Sequence, residues 1–161
     1  AGRFADAERS LREALTAGWN PAAALRLADA VAKGGRPADA LPLLQAAVER
    51  GGPDPNYLLA LGGVYRGVGR PADARAAWER AAALADGSIS NIPLWRALAG
   101  VAEQSGDRDA ARRYLARAVA AAASRHLAAG QYDQAAQAAK AAAESAPESA
   151  RPWFLLGEAL R

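Results

Sequence analysis

The chain has 161 residues, with 20 Lys and Arg against 17 Asp and Glu, a formal net charge of +3, no Cys, no Met and one His. Without cysteine there is no disulfide framework, thiolate metal site, iron–sulfur cluster or cysteine nucleophile, and one His cannot supply the imidazole pair that most zinc sites use, so no metal and no cofactor is expected. Alanine supplies 47 residues and the large apolar types (Val, Ile, Leu, Phe, Trp, Tyr) only 36, with six Val, two Ile and one Thr; this composition favours helices over one thick core, and an all-α chain is expected.

No uncharged apolar stretch approaches the roughly 18 residues that a membrane helix needs. The first 20 residues already hold Arg3, Asp6, Glu8, Arg9, Arg12 and Glu13, unlike a signal peptide, so a soluble chain is expected. The cations are 18 Arg and two Lys (Lys33 and Lys140), interspersed with carboxylates at helical spacings such as Arg9 to Glu13, which reads as a mixed, solvated surface.

In chain order, residues 1–18 open on Gly2-Arg3-Phe4-Ala5-Asp6-Ala7 and form half of a repeating unit. Trp19, beside Asn20-Pro21, reads as a turn or linker contact. Residues 21–53 place Ala24, Leu27, Ala28 and Val31 before the turn Gly35-Arg36-Pro37-Ala38-Asp39-Ala40, then Ala40, Leu44 and Ala47 at spacings of three or four. The identical hexapeptide returns 34 residues later as Gly69 to Ala74, inside a unit 55–86 with Leu58, Leu61, Gly62 and Tyr65 before it and Ala74, Trp78 and Ala81 after it. Each copy predicts a helix closed by Gly, a tight turn, and a second helix started by Pro or an early Asp: a helical hairpin.

Asp86-Gly87-Ser88-Ile89-Ser90-Asn91-Ile92-Pro93 predicts a longer loop. The unit 92–118 follows, with Trp95, Leu98 and Ala99 before Gly106 and Ala111, Leu115 and Ala118 after it. The next turn, at Gly130, comes after only 24 residues, and the stretch from Arg108 to Ala129 holds no Gly or Pro, so the second helix of this unit and the first of the shortened unit 119–146 should run together as one helix with His126 near its end. Residues 150–161, with Trp153, Leu156 and Gly157, form a closing half repeat. Trp78, Trp95 and Trp153 occupy patterned apolar positions and are expected to fill the core between hairpins.

In these residues the chain resembles the tetratricopeptide repeat family, whose order of large, large, small, aromatic, turn Gly, small, large and small is followed by Leu58, Leu61, Gly62, Tyr65, Gly69, Ala74, Trp78 and Ala81. The resemblance implies a single right-handed α-solenoid domain of stacked helix-turn-helix hairpins over residues 1–161, with half repeats at both ends. It also implies a non-catalytic protein-binding scaffold. First helices would line a concave face showing Arg26, Asp29, Lys33, Asn56, Leu59, Arg66, Arg96, Glu103 and Gln104. Members that clamp an acidic C-terminus use Asn where this chain has Asp29, Gly63 and Gly100, so that activity is not expected. Other members are cytosolic adaptors or periplasmic scaffolds of bacterial polysaccharide export and pilus assembly, and the Ala and Arg bias resembles a GC-rich bacterial genome.

Residues arranged for catalysis are missing from the pattern: no glycine-rich phosphate loop follows a strand, and Asp107 and Asp109 are accounted for by a helix start. A nucleic-acid stripe would need Arg interleaved with aromatic rings, and only Arg108, Arg112, Arg113 and Arg117 beside Tyr114 approach it, so nucleic acid is not an expected partner. Self-association is. Gly157 to Arg161 followed by Ala1 to Ala7 reproduces the line Gly62 to Ala74 short of one residue, so Trp153, Leu156 and Leu160 of one copy would pack on Phe4, Ala7 and Leu11 of the next and build a filament. The same half repeats would arise from part of a longer array, which is the alternative reading: a monomeric adaptor with a peptide on its concave face.

Overall fold

The computed structural model describes the backbone of residues 2–84 and 91–161 and the side chains of 5–84 and 91–161. The described residues are helical and form no strand, as an all-α fold of the α-solenoid class. They divide into two compact units. Ala1–Gly87 holds α1 (Gly2–Ala17), α2 (Pro21–Lys33), α3 (Pro37–Gly51), α4 (Pro55–Gly67) and α5 (Pro71–Leu84); Ser88–Arg161 holds α6 (Ile92–Gln104), α7 (Arg108–Ala128), α8 (Tyr132–Ser145) and α9 (Ala150–Ala159). Within each unit successive helices pack as neighbours, and α9 also touches α7.

Helix ends follow the punctuation in the sequence. Pro21, Pro37, Pro55 and Pro71 each open a helix, where the missing N–H would have had no partner. Asn20, Asp54, Asn91 and Asp107 accept backbone N–H bonds from the first turns of α2, α4, α6 and α7. Gly35, Gly69, Gly106 and Gly130 stand at φ of 87°, 75°, 78° and 72°. The residue after each (Arg36, Arg70, Asp107, Gln131) donates its N–H to the carbonyl five positions back, at 3.1, 2.9, 2.9 and 2.9 Å. Four turns therefore close alike, with glycine at the left-handed position that other residues reach only with strain. The first copy of the phrase differs: Gly2 is already helical, as the first residue of α1. Of the expected loop at Asp86–Pro93, residues 85–90 lie outside the described residues, Asn91 caps α6, and Ile92 and Pro93 are part of that helix.

The expected single helix from Arg108 is α7, 21 residues long. Its first half pairs with α6 and its second half with α8 and α9 through Ala120 and Ala123, which join Ala139, Ala142 and Leu155 in one buried cluster. That continuity overturns one expectation. Leu115 stands where Leu44 stands in α3, yet Leu44 is 1% exposed and Leu115 is 42% exposed. Leu44 is covered by Leu61 and Val64 of the next first helix, α4. After Leu115 the next first helix is the continuation of α7 itself, so it cannot fold back over that side chain.

Hairpins close through small residues. Ala40, Ala47, Ala74 and Ala81 are all fully buried, and a Cβ built on Gly62 would lie 2.3 Å from the indole nitrogen of Trp78. The α4 backbone and the Trp78 ring are thus in direct contact, and the indole N–H donates to the Leu59 carbonyl at 3.0 Å. Next door, Gly63 has nothing within 4 Å of such a Cβ.

The first unit holds an ion cluster without a sequence signature, in which a buried carboxylate meets two exposed guanidinium groups. Glu8 on α1 is 9% exposed and bonds Arg36, the residue preceding α3, and Arg12 one turn along α1 at 2.5 Å. The hydrogen bond from Arg36 holds the Glu8 carboxyl below its ordinary value; burial opposes this, and the Arg12 and Arg36 charges add to it. In return the Glu8 bond raises the Arg36 guanidinium further.

Two outcomes follow from these contacts. Gly62→Ala should destabilise the first unit by roughly 1–3 kcal/mol through overpacking, while Gly63→Ala should stabilise it by about 1 kcal/mol through helix propensity, as read by urea unfolding. For Glu8 the folded value lies below the unfolded value near 4.5, so the stabilisation is present above that pH and is lost as pH falls through it toward the folded value. Glu8→Gln should therefore lower the melting temperature at pH 7 and flatten its decline in acid; an unchanged acid profile would remove the role given to this carboxylate.

Candidate protein-interaction surfaces

In the first unit the first helices α2 and α4 pack on one another and carry much of the expected binding face. Arg26, Asp29 and Lys33 recur at i, i+3 and i+7 on α2, and Asn56, Leu59 and Arg66 recur in a similar row on α4. Leu59 is half-buried and the other five are exposed. The row is less cationic than its composition. Lys33 is paired to Asp29 at 2.7 Å, and the Arg66 guanidinium lies over the Trp78 ring at 5.4 Å, leaving Arg26 as an exposed cation without an ion pair among the described residues. In the second unit Arg96, Glu103 and Gln104 are exposed on α6.

The residues expected at an end-to-end contact fall on α1 and α9. Ala7 is exposed; Leu11 is half-buried, packing with Leu15 against the Leu27 and Leu44 cluster. The Phe4 side chain lies outside the described residues. On α9, Leu156 is half-buried against the Ala120 and Leu155 cluster, and Leu160 is 71% exposed. The repeat pattern assigns Trp153 to the core with Trp78 and Trp95, and here the structure differs. Those two are 4% and 3% exposed, but Trp153 is 51% exposed, with its indole N–H donating to the Pro147 carbonyl at 3.2 Å. The reason is the absence of a second helix beside α9 among the described residues: Leu58, in the same register, is fully covered within the first unit.

Phe154, which the repeat pattern does not single out, is 67% exposed and lines a shallow pocket of about 390 Å³ with Ala150, Arg151 and Leu155. Helical periodicity alone would have placed it off the core face, adjacent to Trp153. Three cation–ring contacts also lie beyond the reach of the pattern: Arg50 over Trp19 at 4.6 Å, Arg70 over Tyr65 at 4.8 Å and Arg117 over Trp95 at 4.9 Å. Spacing cannot reveal them, because each joins side chains from different helices or turns.

His126 lies near the end of α7 with Nδ1 2.7 Å from Gln131 Oε1, a link across the turn. Among the described residues no three or more His, Asp or Glu come together as metal ligands, and no helix is long and apolar enough to cross a membrane.

Comparison with known proteins agrees with this architecture. A family model described as tetratricopeptide repeat matches residues 1–56 and 120–161. The crystal structure of MamA aligns at 23% identity over 93% of this chain and 92% of that one, with a TM-score of 0.65. A thermophilic TPR protein from Thermus thermophilus aligns at 24% identity over 99% of this chain and 91% of that one, with a TM-score of 0.58. A tetratricopeptide repeat protein from Parabacteroides merdae aligns at 14% identity over 99% and 79%, with a TM-score of 0.52. No curated protein sequence matches the chain.

The different settings of the tryptophans predict unequal costs. Trp95→Ala should destabilise the second unit by about 3–5 kcal/mol, whereas Trp153→Ala should cost less than about 1 kcal/mol, measured by chemical denaturation.

Proposed function

Because the chain belongs to the tetratricopeptide repeat family, we propose that it is a non-catalytic protein–protein interaction scaffold whose copies join through the open faces of α1 and α9. One observation carries this reading. Ala7 and Ala14 of α1 share the register of Ala40 and Ala47 in α3 and of Ala74 and Ala81 in α5; the latter four are fully buried, and Ala7 and Ala14 are exposed. The helix α1 thus has the register of a second helix, and among the described residues no first helix packs on its Ala7 and Ala14 face. Its complement is α9, which has the register of a first helix, with Trp153 and Leu160 exposed among the described residues where Leu58 and Tyr65 meet hairpin neighbours.

Joining the two would rebuild a hairpin and cover apolar surface of a kind that seldom stays wet. The two faces differ, so the contact is heterologous, and repeated use gives a ring if the rotation closes and a filament if it does not. No group in the contact needs a cofactor or a metal.

Sedimentation over a concentration series tests this. The unmodified chain should gain mass with concentration, and Trp153→Glu or Ala14→Glu alone should abolish growth while leaving helicity by circular dichroism unchanged. The two variants mixed should form dimers and nothing larger, since each keeps one intact face. A chain still monomeric at about 1 mM, well above the weakest specific affinities, excludes the self-joining reading.

A second reading, the monomeric adaptor, is favoured by the paired surface of α2 and α4. There a peptide would lie across Arg26, Asn56 and Arg66, and Arg26→Glu with Arg66→Glu should weaken an acidic peptide about tenfold in fluorescence anisotropy.

A further inference from the structure

Helix α1 is held in place differently from the other helices of its unit. Among its described side chains the only buried one is the carboxylate of Glu8, with Leu11 and Leu15 half-buried and the rest exposed. The other second helices bury apolar side chains instead: Ala40, Leu44 and Ala47 on α3, and Ala74, Ala77, Trp78 and Ala81 on α5. Glu8 is also the one buried charged residue among those described. Two half-covered leucines and one charge therefore dock α1.

The arginine that meets this carboxylate is diverted to it. Arg36 and Arg70 occupy the same place in two identical hexapeptides. Arg70 bonds Asp73 inside its own turn at 2.7 Å and lies over the Tyr65 ring at 4.8 Å, whereas Arg36 stands 3.8 Å from the matching Asp39 and bonds Glu8. The difference comes from α1, because Leu41, which stands as far beyond Gly35 as Glu8 does beyond Gly2, offers no charge to Arg70. The charged groups acting on Glu8 are Arg36, whose hydrogen bond is the largest influence, and Arg12. Asp39 on α3 competes for Arg36, and on α2 Lys33 is held by Asp29 at 2.7 Å. Both arginines stay open to water while the Glu8 side chain is 12% exposed, so a neutral group at this position forfeits its charge-assisted bonds and lets the guanidinium groups turn to solvent.

The same helix carries the open face. Ala7 and Ala14 stand roughly a quarter-turn round α1 from Glu8, Leu11 and Leu15, so a movement that releases one set displaces the other. We propose that the Glu8 carboxylate is a latch: charged, it holds α1 on the α2 and α3 hairpin, and neutralised, it frees α1 and withdraws the face on which a second copy joins. The latch stands on the cluster itself; its control of joining rests on the α1 and α9 contact proposed above. The sign follows from the contacts. Docking keeps the Glu8 carboxyl below its ordinary value near 4.5, so the freed helix takes up the proton more readily. α1 is therefore held above that pH and freed as pH falls through it toward the docked value.

Hydrogen exchange of the full chain in dilute solution, read by mass spectrometry, tests the latch apart from joining. At neutral pH Glu8→Gln, which mimics the protonated carboxyl and titrates nothing else, should speed exchange of the α1 amides about tenfold or more while those of α3 and α5 change less than about twofold. Arg36→Gln should act alike, and Arg70→Gln, the matching change in the second hexapeptide, should leave α1 as it is. In the unmodified chain α1 should lose protection relative to α3 between about pH 6.5 and about pH 3.5, and in Glu8→Gln that relative loss should vanish. Sedimentation at high concentration then reads joining, and Glu8→Gln should reduce the growth in mass at neutral pH. Unchanged α1 exchange in Glu8→Gln, or an equal rise on α1, α3 and α5, overturns the latch. Undiminished growth of a variant whose α1 is freed overturns its control of joining. A chain monomeric throughout, with α1 freed in both variants, removes the α1 and α9 contact and establishes the latch without it.

Discussion

The close approach of two helices within a hairpin is the constraint on which the rest of this fold depends. It is set by side chains that are nearly absent. At the Gly62 crossing the backbone of α4 meets the Trp78 indole directly, and elsewhere Ala40, Ala74 and Ala135 stand at the crossing with no exposed surface. Small residues bring the elements close enough that a few large ones, such as Leu44, Leu58 and Leu98, fill what remains. This is why a chain with 47 Ala and only 36 large apolar residues can fold without one thick core. Each hairpin contributes a thin layer and gains its stability from its neighbours.

The same logic explains the irregular helix. In a regular array the turn glycine ends one helix so that the next can return across it, and the four glycines with positive φ between hairpin helices do this with nearly identical bonds. Between Arg108 and Ala128 there is no such residue, and the chain continues through the place where a turn would stand. Burial is retained on the far half, where Ala120 and Ala123 pack into the last cluster, and is forfeited at Leu115. Omitting one turn therefore both shortens a repeat and opens a surface.

Much of this was legible in the residues. The hexapeptide Gly35 to Ala40 and its copy at Gly69 located two turns and their following helices, and the absence of Gly and Pro after Arg108 located the long helix. What the pattern could not supply was the neighbour of each face. Periodicity marks Trp95, Trp153, Leu44 and Leu115 alike as large positions on an apolar stripe, but it does not say whether another helix lies alongside. The Glu8 cluster escaped for a related reason: Glu8 and Arg36 are 28 residues apart, and in composition each is one more member of a mixed surface. At the interaction surfaces the exposed cations were legible as residue types, whereas their pairing with Asp29 or the Trp78 ring depends on rotamers and helix packing.

In a repeat fold, the distinction between core and binding surface is one of occupancy. A position such as Trp153 has the register and composition of a core residue, and its exposure shows only that no helix covers it among the described residues. Ala14 shows the converse on α1: a residue too small to read as a binding determinant marks a place where another helix can come close. The energetic terms that stack one hairpin on the next are thus the same terms that join a hairpin to a partner, differing by the entropy of bringing two chains together. Recognition at such faces is accordingly specified by register, since a helix offered one residue out of step would set large side chains against each other where small ones are required.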